Sequence, residues 1–197
     1  MRSLLPLSRS IDRINRAVGR FASWLTLVMV LVAAYNAVAR YIGRAMGREL
    51  TSNAWVELQW YIFSLVFLLG AAHTLRANRH VRVDVLYGRL SARNQTRVDF
   101  WGGLLLLLPF CLFAIWCCWP MVRESISIRE ASPDPNGLPR WPIKASILLA
   151  FALLFLQGVS ETIKRGAILR GSSPEDVGLH EVDTRSAKHE NHKEQQV

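Results

Sequence analysis

Residues 21–39 read FASWLTLVMVLVAAYNAVA, nineteen positions without a charged side chain. About 20 helical residues cross a hydrocarbon core of about 30 Å, so this run can span a bilayer as one helix. Three further apolar runs follow, at 58–75, 98–120 and 143–163, with their few charges kept near the ends. In hydrocarbon every backbone N–H and C=O needs an internal partner, which a helix supplies within one segment. The expected fold is therefore an all-α membrane protein of four transmembrane helices.

Working outward from the first span, residues 7–20 read as an amphipathic helix. Leu7, Ile11, Ile14 and Val18 recur at three- and four-residue steps, with arginines between them. The expectation is a surface helix on the inner face that turns into the first span near residue 20. This divides the chain into an N-terminal segment, 1–20, a four-helix membrane domain, 21–165, and a polar tail, 166–197. The tail lacks apolar periodicity and reads as disordered.

The chain has 24 Lys and Arg against 15 Asp and Glu, a formal charge of +9. Seventeen of the 24 fall in the N-terminal segment, the link between spans two and three, and the tail. The positive-inside rule then puts both termini and the middle link in the cytoplasm. It also explains the basic pI without nucleic acid. All seven tryptophans fall near span ends, as interfacial anchors do. The three cysteines sit together in span three with no CxxC or Cys/His spacing, which argues against zinc or a disulfide framework.

Turn signals fill in the links. Thr51 or Ser52 is placed to cap the second helix and Ser91 the third. Pro109 should bend span three. Loop three, with Pro133, Pro135, Gly137, Pro139 and Pro142, reads as ordered coil after about Glu130. In the middle link a short surface helix is expected around 84–90.

Polar groups inside spans are costly and so are the first functional candidates. None is ionisable at mid-span. Near the outer ends, Arg40 and Glu57 are placed to form an ion pair closing loop one. Near the inner ends stand His73, and Gln157 with Glu161, the latter within reach of Arg165. Gly70, Gly102 and Gly103 offer small surfaces for close helix approach. No phosphate-binding loop, HExxH pair, nucleophile elbow or close carboxylate dyad is present, so no enzymatic activity, cofactor or metal is expected. His73 with His80 leaves one alternative open, a haem-bearing electron-transfer subunit.

Several stretches then carry a family resemblance. They are RY at Arg40 and Tyr41, WVE ending at Glu57, and LLGAAHTLRANRHVRVDVLYGRLS over 68–91. REASPDPNGLPRWPIK over 129–144 completes the set. In this order and spacing the chain resembles the small, Q-type membrane subunit of tripartite ATP-independent periplasmic (TRAP) transporters, over roughly residues 15–165. The second carboxylate often found beside the family's loop-one glutamate is absent, since Leu58 follows Glu57.

The resemblance implies a bacterial inner-membrane subunit that scaffolds a large multi-span permease subunit. A periplasmic solute-binding protein would deliver a small solute, often a carboxylate, and an ion gradient would drive its uptake. Gly70, His73, Gly102, Gly103 and Gln157 become candidates for packing on the large subunit, with packing inside the chain's own bundle as the alternative. Arg40, Glu57, Glu130, Gly137, Leu138, Pro139 and Trp141 become candidates for outer partner contacts. His80, Arg82 and Asp84 would organise the cytoplasmic turn.

Overall fold

The structure, a computed structural model, describes residues 5–78, 90–172 and 177. Among these it contains helices and no strand. They are α1 (Leu5–Met46), α2 (Asn53–Arg76), α3 (Ala92–Gly102), a π turn (Gly103–Leu107), α4 (Leu108–Ser127) and α5 (Trp141–Leu169). α3, the π turn and α4 form one rod, so the described residues contain four helices long and apolar enough to cross a membrane.

α1 departs from expectation. Segment 7–20 is helical, but no turn separates it from the first span: a single 42-residue helix, about 63 Å long at 1.5 Å per residue, runs through. Gly19 does not break it. The missing side chain is needed for contact, because a Cβ there would overlap the His73 ring of α2. The buried face also differs. Leu7 and Ile14 are exposed, while Ser8, Ile11, Asn15, Gly19 and Ala22 face inward. α1 ends at Gly47, whose φ of +63° suits glycine and lets the Arg48 N–H reach back to the Gly43 carbonyl at 3.0 Å.

The other boundaries follow local chemistry. Ser52 and Ser91 hold the N-cap positions of α2 and α3 in extended conformation, although neither side chain makes the capping bond. Pro109 has no N–H to offer the preceding turn, and the π turn stands directly upstream of it. Span three continues to Ser127, seven residues beyond expectation, before loop three begins as coil. α5 likewise continues past 163 to Leu169.

α5 is the centre of the arrangement. It packs on α1, α2, α3, the π turn and α4, whereas α4 leans substantially only on α5 and the turn above it. In the most apolar stretch of α5, 33% of residues are buried, against 11% in α1. A small apolar core of Ala22, Leu69, Ala72 and Leu153 joins α1, α2 and α5. The remainder of α1, the π turn and most of α4 show large apolar side chains outward: Trp24, Leu31 and Val38 on α1, Leu106 on the π turn, Phe113 and Trp116 on α4.

Candidate functional site

Two polar clusters hold the helices in place, one at each end. At the end carrying loops one and three, Glu57 enters α2 almost fully buried. One carboxylate oxygen accepts from the Ser132 hydroxyl and the other from the Leu138 N–H. Tyr61, one turn on, donates to the Pro139 carbonyl at 3.0 Å, and Asn53 donates to the Pro135 carbonyl at 3.1 Å. Loop three is thereby folded down on the start of α2. Gly137 fits under Ser132 and the Glu57 carboxylate, where a Cβ would clash.

The expected ion pair of Arg40 with Glu57 is not formed, because both Glu57 oxygens are engaged by loop three. Arg40 instead lines an open bowl of about 640 Å³ with Arg44 and Arg48, floored by loop one and rimmed by Pro135 and Asn136.

Loop three has a second fastening. Lys144, in the first turn of α5, donates to the Glu130 carboxylate, and the Arg140 N–H donates to the Glu130 carbonyl at 2.8 Å. The hydrogen bond from Lys144, more than any other influence, holds the Glu130 carboxyl below its ordinary value of 4.5. A carboxyl lowered on folding adds stability above its unfolded value and loses it as pH falls through the folded one. Thermal unfolding of the wild type and Glu130→Gln should differ most at neutral pH and converge as pH drops below 4.5. A gap unchanged in acid would show the pair to carry no weight.

At the opposite end, α1 and α5 share a buried network. Asn15 donates to the Gln157 side-chain oxygen at 2.7 Å. The Gln157 amide nitrogen donates to Asp12 at 2.9 Å and Glu161 at 3.1 Å. Ser160 donates to the same Asp12 oxygen at 3.0 Å, and the Ser8 and Ser160 hydroxyls lie 2.7 Å apart. Lys164, only 2% exposed, bridges Asp12 at 2.7 Å and Glu161 at 2.8 Å. Arg165 turns away to Asp99 of α3 at 3.3 Å, not to Glu161 as its spacing suggested.

Charged groups this deep are tolerated because each finds a partner of opposite charge and the remaining polar atoms are largely hydrogen-bonded. The α1 half of this network is not among the sequence expectations, which took Leu7, Ile11, Ile14 and Val18 with the neighbouring arginines as a membrane-surface helix. A legible signal existed: Ser8, Asp12 and Asn15 share one helical stripe, and Gln157, Ser160 and Lys164 form its counterpart.

The candidates for packing on a large subunit separate accordingly. Gln157 is completely buried within the network, His73 lies against Gly19, and Gly103 faces Thr162 of α5, so all three have neighbours within the chain's own bundle. Gly70 and Gly102 face open space. Glu130, Gly137, Leu138 and Pro139 all serve the fastening of loop three, with Trp141 39% exposed at its end. Of the cysteines, Cys111 is buried and Cys117 exposed. His80, Arg82, Asp84, the helix expected around 84–90 up to residue 89, and residues 173–176 and 178–197 of the polar tail lie outside the described residues.

These features define a membrane protein whose buried polar groups fasten its own helices and whose large apolar faces point outward. The family profile "Tripartite ATP-independent periplasmic transporters, DctQ component" matches residues 29–167, and the chain belongs to that family. It is a transporter component, not an enzyme, and the family works beside a large permease and a periplasmic binding protein. No curated protein sequence matches the chain.

Proposed function

We propose that this chain braces the large subunit of an ion-gradient-driven uptake system for a small carboxylate solute, delivered by a periplasmic binding protein. The observation that carries this reading is a doubled seven-residue repeat on α1. The buried face follows it, with Ser8, Asn15, Ala22, Asn36 and Gly43 in one register. One position upstream, Leu7, Ile14, Phe21, Val28, Tyr35 and Ile42 repeat in the same register, interleaved with Trp24, Leu31 and Val38. All nine are exposed. A sustained seven-residue apolar repeat is the pattern of a helix packed along another helix.

Its length favours protein over lipid as the cover. From Leu7 to Ile42 the seam is about 52 Å long. A bilayer core of about 30 Å is crossed in about 39 Å of helix even at the steep tilt of about 40°. The seam therefore outruns the hydrocarbon, which fits a long helix of the large subunit. Gly70 and Gly102 add further open ground for close approach.

The basic distribution supports cytoplasmic termini in the inner membrane. Loops one and three then face outward, and the bowl of Arg40, Arg44 and Arg48 suits an acidic surface of the binding protein. A tag at the C-terminus, with mild extraction from native membranes and mass spectrometry, tests the proposal. A large multi-span partner at near-equal abundance is the expected result; recovery of the chain alone would overturn it.

A further inference from the structure

Between α2 and α5, near loop three, runs a groove of about 470 Å³, within the usual range of about 300–1,000 Å³ for small-ligand sites. Trp60, Phe63 and Phe67 form one wall, and Ile143 and Ile147 the other. At one end of this apolar trough stand two cations, Arg140 and Lys144. They differ in what holds them. Lys144 is tied to Glu130. The Arg140 Nε is buried and has no hydrogen-bond partner.

We propose that the groove is a phospholipid site, with an acyl chain along the trough and the phosphodiester on Arg140. Three features on different residues converge. Exposed aromatic and branched apolar side chains suit a methylene chain and give an aqueous solute nothing to bond. Trp60 and Trp141, at the same end as Arg140, mark the level at which indoles sit among headgroups. That sets the guanidinium at phosphate depth. Its planar fork of donors matches phosphate oxygens, and Arg140 lines the groove beside Lys144. An apolar helix laid in the groove would leave this group unpartnered, so lipid fits better than protein. Basic pockets between transmembrane helices bind lipid headgroups by the same chemistry.

The test uses the full chain inserted in membranes of phosphatidylethanolamine and phosphatidylglycerol, extracted in mild detergent and weighed intact by native mass spectrometry. The wild type should retain one phospholipid through washing that strips bulk lipid. Arg140→Ala should lower retention about ten-fold, as loss of one charge-assisted contact implies, and Arg140→Lys should recover part of it. Arg140 stands at the start of α5 with its Nε buried, so the unfolding temperature of each variant is read as well, to show whether the fold is kept. A benzophenone side chain at position 67, activated in native membranes, gives an independent reading. Crosslinks to phospholipid support the site. Crosslinks to a protein, no retained lipid in the wild type, or equal retention in wild type and Arg140→Ala would each overturn it.

Discussion

Asp12→Ala should lower the unfolding temperature of the chain by roughly 6–12 °C, more than any other single polar deletion in the bundle. The reason is the number of groups that meet one carboxylate. Its two oxygens take the Lys164 ammonium at 2.7 Å, the Gln157 amide at 2.9 Å and the Ser160 hydroxyl at 3.0 Å. Removing one member of a buried ion pair costs about 3–5 kcal/mol, because the remaining charge keeps its desolvation without its partner. Glu161 still holds Lys164 at 2.8 Å, which places the loss near the lower end, about 3 kcal/mol. About 2–4 °C per kcal/mol for a chain of this length gives the stated shift.

A second variant separates charge burial from shape. Asp12→Leu combined with Lys164→Met removes both charges and should be clearly more stable than Asp12→Ala, since apolar replacement of a whole buried pair is often nearly neutral. Differential scanning fluorimetry on the solubilised protein reads both. A single variant that unfolds with the wild type would mean that the network holds α1 to α5 only weakly.

That network also shows where reading from sequence stopped. The four spans were legible because bilayer crossing is a one-dimensional requirement: a run such as 21–39 satisfies it with no knowledge of its neighbours. The serines at 52 and 91 were legible for a similar reason, since a cap is local. The straight course of α1 was not. Leu7, Ile11, Ile14 and Val18 make an apolar stripe that suits a membrane surface, and the arginines beside it reinforce that reading. What decides the matter is that Asp12 and Asn15 find Gln157 and Lys164, about 145 residues away.

Glu57 teaches the same lesson at the opposite end. Opposite charge and proximity in sequence suggested Arg40. The carboxylate instead organises loop three, where Ser132 and the Leu138 N–H present two donors at the spacing of its two oxygens. A backbone donor carries no mark in the sequence. The glycines divide on the same ground, Gly19 and Gly103 meeting partners that spacing alone does not specify, Gly70 and Gly102 facing outward.

The largest effect on assembly is expected from the ends of the α1 seam. Within the hydrocarbon, an apolar side chain contacts lipid or protein with little difference in cost, so a polar substitution there disturbs insertion as well as assembly. Near the ends this ambiguity fades. Ile14 and Ile42 are 52% and 43% exposed and about 42 Å apart along the helix, farther than the hydrocarbon needs even at steep tilt. If a long helix of the large subunit covers the seam, both become buried anchors on association. Charging a buried anchor costs 2 kcal/mol or more, about 25-fold in affinity, and two anchors one helix apart should act nearly independently. Ile14→Glu with Ile42→Glu should therefore leave the chain inserted and folded, yet weaken binding of the large subunit by about 25-fold for either change alone and several hundred-fold for both. Arg13→Glu and Arg44→Glu, which change charge beside the seam without entering it, serve as controls and should recover the partner far better. Equal recovery with the seam and control variants would move the interface off α1, and the exposed face of α4, with Phe113 and Trp116, would become the surface to test in its place.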